Sequence, residues 1–93
     1  MHKINWSLPA INDLHSASDF IAEENPKAAR RIASRIQEAV EYLEEQPNMG
    51  KPGRLQGTRE LVVSGTPFVV VYWVRKGCVQ ILRVLHHARK WPA

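Results

Sequence analysis

Residues 54–91 read RLQGTRELVVSGTPFVVVYWVRKGCVQILRVLHHARKW, and the fold of the chain is decided there. β-Branched and aromatic residues run through this stretch, broken by turn residues at two points. Thr58–Ser64 reads as a strand and Gly65-Thr66-Pro67 as the turn after it. Phe68–Arg75 (FVVVYWVR) is apolar on both faces, as a central strand requires. Lys76-Gly77 suits a two-residue hairpin turn. Cys78–His86 is then the last strand, with a short tail from His87. Connections this short permit only antiparallel pairing, so the three strands form a meander.

Upstream, residues 51–57 (KPGRLQG) read as an irregular basic loop. At the start of the chain, HKINW (2–6) alternates in type as a short strand does. Ser7 offers a hydroxyl as an N-cap, and Pro9 fits a first helical turn, which needs no amide donor. Ile11, Leu14, Ala17 and Ile21 then fall on one helical face with Phe20 beside it, while Asn12, Asp13, Asp19 and Glu23 face water. Asn25-Pro26 stops this helix near Glu24, because the residue before a proline avoids helical torsions. Asn25 caps a second helix whose inward stripe is Ala29, Ile32, Ile36, Ala39, Val40 and Leu43. Arg30, Arg31 and Arg35 lie off that stripe and read as a solvated face. The helix ends before Pro47, and 47–50 is loop. The expected fold class is α+β in the order β-α-α-β-β-β. Two antiparallel helices pack on one face of a small, mainly antiparallel sheet, in one domain of 93 residues.

Charge is distributed unevenly. Residues 1–50 hold five Lys/Arg against eight Asp/Glu, whereas residues 51–93 hold eight against one, Glu60. A basic half of this kind suits a polyanion or an acidic protein as partner. The single cysteine, Cys78, excludes an internal disulfide and fits a reducing compartment. No apolar run approaches the roughly 18 residues of a membrane span, and the N-terminus lacks the apolar stretch of a signal peptide. The chain therefore reads as soluble and cytoplasmic. Two adjacent histidines and one cysteine make no zinc site, and GKPGRLQG lacks P-loop spacing, so no metal or cofactor is expected.

What remains for chemistry is a cationic set: Lys51, Arg54, Arg59, Arg83, His86, His87, Arg89 and Lys90. Metal-free RNA cleavage needs a base, an acid, and cations that stabilise an anionic phosphorane. Histidine can serve as acid or base near neutrality, and arginine matches phosphate geometry. Along an unbroken last strand Ile81, Arg83, Leu85 and His87 share one face, and Leu82, Val84 and His86 the other. One histidine at most then joins Arg83. Each histidine could equally be a structural hydrogen-bonder, and Arg59 could form an ion pair with Glu60. Tyr72 and Trp73 read as core. Trp91 either folds back onto the sheet or belongs to an exposed partner-binding patch.

RELVVSGTPFVVVYWV (59–74) followed by VQILRVLHHARKWP (79–92) resembles the C-terminal half of the RelE/ParE superfamily of bacterial toxins. WSLPAINDLHSASDFI (6–21) is similar to the first helix of that family. The resemblance implies the toxin of a type II toxin–antitoxin pair, masked by a small cognate antitoxin that wraps around it. RelE-like members cut mRNA in the ribosomal A site; ParE-like members poison DNA gyrase without a catalytic site. Matched to the first kind, Arg59, Arg83, His86 and His87 would be catalytic, and Lys51, Arg54, Arg89 and Lys90 would bind RNA or another target. RelE-type sites place a tyrosine or histidine near the C-terminus; no tyrosine follows the last strand here, and Trp91 stands there instead. The first expectation is a metal-independent, ribosome-dependent mRNA endonuclease. The alternative is a non-enzymatic gyrase inhibitor using the tail Ala88–Pro92, and a third option is an inactive antitoxin partner.

Overall fold

A computed structural model describes residues 1–87 and Trp91. The elements run β1 (Lys3–Trp6), α1 (Leu8–Ala22), α2 (Pro26–Tyr42), β2 (Lys51–Pro52), β3 (Arg59–Val62), β4 (Phe68–Arg75) and β5 (Cys78–His86). They form one five-stranded sheet in the order β1-β5-β4-β3-β2. β1 pairs parallel with β5, and the other neighbours are antiparallel. Both helices cover one face of the sheet.

The helix starts follow the sequence. Ser7 Oγ accepts the Ala10 amide at 3.1 Å, and Asn25 Oδ1 accepts the Ala28 amide at 3.1 Å. Each satisfies a first-turn donor that the helix itself cannot. The α1 apolar face and the α2 stripe meet Leu61, Val63, Phe68, Val70, Tyr72, Val79, Ile81 and Val84 from the sheet in one core. On the opposite, helix-free face, Val71 is also fully buried, with Glu60 in register on one side and Arg83 on the other.

Two expectations are corrected. The stretch 51–57 is not wholly irregular: Lys51–Pro52 pairs antiparallel with Arg59–Glu60, closed by Gly53 N donating to Thr58 O at 2.8 Å. A proline is tolerated here because β2 is the edge strand and no ladder bond beyond it needs the missing N–H. Secondly, β5 is not unbroken. Val71 pairs with Arg83 but Tyr72 with Ile81, so Leu82 is an extra residue, a β-bulge. The bulge resets the alternation, which lets Ile81 and Val84 both enter the core. Ser7 pins it, donating Oγ–H to Leu82 O at 3.0 Å and N–H to Ile81 O at 2.9 Å.

The loop between α2 and β2 is held from below by two β-strand side chains, Tyr72 of β4 and Arg59 of β3. Tyr72, fully buried, donates its hydroxyl to Pro47 O at 2.7 Å and accepts from Gly50 N at 2.9 Å. Burial raises the Tyr72 phenol above its ordinary range, against the opposing pull of the Gly50 N–H and the Arg59 charge. A Cβ at Gly50 would lie 2.8 Å from the Tyr72 ring and hydroxyl and 3.1 Å from Glu60 O, so only glycine fits.

Candidate functional site

The cationic residues of the second half do not form one cluster; they divide according to what holds them. Arg83 leaves β5 just after the bulge and is met by Asp13 of α1. Nε and one terminal nitrogen reach the two carboxylate oxygens at 2.7 and 3.0 Å. The same carboxylate accepts the Val84 amide at 3.0 Å. Asp13 therefore does not face water as its helical position suggested; its side chain is only 15 % exposed. Donating to the Asp13 carboxylate raises the Arg83 pKa further, outweighing burial, so this guanidinium is charged at every working pH. Above it lies Trp91, its ring centroid 5.6 Å from the guanidinium carbon, in the folded-back arrangement.

Arg54, in the β2–β3 connection, is similarly engaged. Its side chain donates to Glu60 at 3.1–3.2 Å, and its backbone N–H donates to the same carboxylate at 2.8 Å. Glu60 is 5 % exposed. Burial pushes its carboxyl upward, but the Arg54 hydrogen bonds and the charges of Arg54 and Lys51 win, and the pKa is lowered.

Arg59 follows neither pattern. It shares a register with Tyr72 and donates to Gly50 O at 2.7 Å and Asn48 O at 3.4 Å, supporting the 47–50 loop. The Glu60 ion pair goes to Arg54, not to Arg59.

The histidines separate as strand parity required. His87 joins Lys51, Arg54, Glu60, Val62 and Val69 around a shallow hollow on the helix-free face. His86 lies on the other face, edge-on to Phe68 with ring centroids 5.8 Å apart, in a groove beside Ala17, Phe20 and Ile21 of α1. The two rings are 4.9 Å apart at the strand end. Arg89 and Lys90 lie outside the described residues.

The helix-free face thus carries one arginine–carboxylate pair, Arg54–Glu60, in a hollow rimmed by Lys51 and His87, while the Arg83–Asp13 pair joins β5 to α1 outside that hollow. Sequence reasoning missed Asp13. The available signal was its spacing, three residues after Ala10 and four before Ala17, which puts it at the border of the buried face.

The family model of the ParE toxin of the type II toxin–antitoxin system parDE matches residues 4–91. The curated protein named "Putative toxin Y4kP" of Sinorhizobium fredii is 39 % identical over 90 residues, covering 97 % of this chain and 93 % of that protein. Toxin RelE2 of Caulobacter vibrioides is 38 % identical over 89 residues, 96 % of this chain and 99 % of the relative. Among solved structures, the chromosomal ParDE TA system from P. aeruginosa contains a chain that superposes with a TM-score of 0.85. That chain is 27 % identical, and the match covers 92 % of this chain and 96 % of that one.

Proposed function

The chain belongs to the ParE toxin family of type II toxin–antitoxin systems, and from that premise we propose that it arrests growth by binding DNA gyrase, not by cutting RNA. It is the toxin of such a pair, and a cognate antitoxin neutralises it. The observation that carries the choice of target is the bidentate engagement of Arg83 by Asp13.

A nuclease site needs cations free to meet charge as it develops on the phosphorane. Arg83 and Arg54 are already neutralised by carboxylates, and Arg59 is turned to loop carbonyls. Freeing either ion-paired guanidinium would leave a desolvated carboxylate without its cation. Glu60 also sits in the hollow itself, where it repels phosphate. A toxin that works by occupying a protein surface has no such requirement. Among the described residues, ribosome-dependent mRNA cleavage, the first expectation from sequence, is supported by His87 and Lys51 at the rim of the hollow.

The test adds purified toxin to two reactions, supercoiling by gyrase and translation of a defined mRNA. Blocked supercoiling with intact message is the expected result. Cut message with normal supercoiling, or no effect on either, overturns the reading.

A further inference from the structure

Helix α2 carries its charges in the order a helix least favours. Lys27, Arg30, Arg31 and Arg35 fill its N-terminal half, and Glu38, Glu41 and Glu45 follow toward and just past its C-terminal end. No acid occupies the first turn and no base the last. Both ends therefore oppose the helix dipole. Lys27–Arg31 and Arg31–Arg35 are moreover like-charge neighbours four residues apart, and Glu38–Glu41 three apart, where opposite charges would stabilise. All seven side chains are exposed. Arg31 and Arg35 also donate to Gly65 O and Ser64 O, which accounts for their place beside the β3–β4 turn. Lys27, Arg30, Glu38, Glu41 and Glu45 have no ion pair among the described residues. A merely solvated face gains from mixing its charges; this one is sorted.

We propose that the outer face of α2 pairs with the same face of a second copy of this chain, antiparallel about a two-fold axis at Ser34. Lys27 and Glu41 are each seven residues from Ser34, roughly 10 Å along the axis, and Arg30 and Glu38 each four residues, about 6 Å. Turning one helix over therefore lays the basic half of each copy on the acidic half of the other. An isologous contact requires self-complementarity of this kind. Ser34, exposed and small, lets the helices approach at the midpoint. Tyr42 is 65 % exposed on the flank of the acidic half, where the basic stems of the second copy cover its ring. A nucleic acid fits worse, because the acidic half repels it, and a partner of one sign is repelled by one half or the other. One helix-on-helix contact lies at the low end of interface sizes, so the dimer forms and dissociates with concentration and salt. The pairing is independent of what the toxin acts on.

Sedimentation equilibrium of the full chain tests it. The expected result is a monomer–dimer equilibrium that weakens on going from about 0.05 M to about 0.5 M salt. Lys27→Glu/Arg30→Glu and Glu38→Lys/Glu41→Lys should each weaken self-association at least about tenfold. Both variants suit the helix dipole better than the wild type, so far-UV circular dichroism should show them fully folded. Mixed in equal amounts they should form a mixed dimer, since each now complements the other at both ends. A wild type that is monomeric throughout overturns the proposal. So do variants that self-associate like the wild type, or a mixture that stays monomeric.

Discussion

The two arginine–carboxylate pairs look alike in contact distance and differ in what they join. Arg54–Glu60 spans six residues and closes a local excursion between the edge strand β2 and its neighbour β3. Arg83–Asp13 spans 70 and ties the first helix to a bulge in the last strand. In the local pair the carboxylate is the buried member, 5 % exposed against 42 % for the arginine. In the long-range pair both members are partly covered, at 15 % and 27 %, and a backbone amide depends on the same oxygens. Sequence separation thus decides what each pair does: one shapes a loop, the other fixes where α1 sits on the sheet and what lies beside Trp91.

The comparison breaks most visibly at Asp13. Asp13→Ala removes two charge-assisted hydrogen bonds and leaves the Val84 amide unsatisfied near the core. A loss of about 2–3 kcal/mol in unfolding free energy is expected, read from urea midpoints. A loss below about 0.5 kcal/mol, the range of ordinary surface changes, would show that the tie is ornamental. Arg54→Ala should cost less, about 1–2 kcal/mol, because the excursion it closes is local and its own side chain half exposed. Most of that cost should come from Glu60 left buried without its cation. Pairing Arg54→Ala with Glu60→Gln should therefore cost less than the two single changes added together. Strict additivity would mean that the pair does not couple.

The pH dependence sharpens the contrast. Because the Glu60 pKa is lower in the folded chain than its ordinary value of 4.5, the native state binds this proton more weakly than the unfolded chain does. Its contribution is complete above that value and is lost as pH falls from there through the depressed folded value. Urea midpoints of the wild type should fall more steeply below about pH 4.5 than those of Glu60→Gln. Equal slopes would remove Glu60 from the account.

Much of this was legible in the residues. Ser7, Asn25-Pro26 and Lys76-Gly77 announced their caps and turns through local chemistry, and the apolar run 68–75 announced a central strand. The β2 strand was not legible, since two residues with a proline carry no alternation and depend wholly on β3. Nor was the bulge at Leu82, which exists because Ile81 and Val84 both reach the core, a demand set by the helices above. The site failed to read for a related reason. Counting cations located the basic half, but whether an arginine is available depends on which carboxylate folds onto it, and Asp13 lies 70 residues away.

The smallest effect expected is at the two histidines. His86→Ala and His87→Ala alter exposed side chains at the end of β5 and leave the backbone in place, including the pairing of His86 with Phe68 and the bond from His87 N to Pro67 O at 2.8 Å. Stability should change by less than about 0.5 kcal/mol. If the toxin works by occupying gyrase, growth arrest should persist in the double variant. If it cuts RNA, His87 is the only imidazole on the helix-free hollow, and arrest should disappear with it. Toxicity lost while the fold stays intact would shift the reading to the hollow beside Lys51, and would make the Arg54–Glu60 pair its frame.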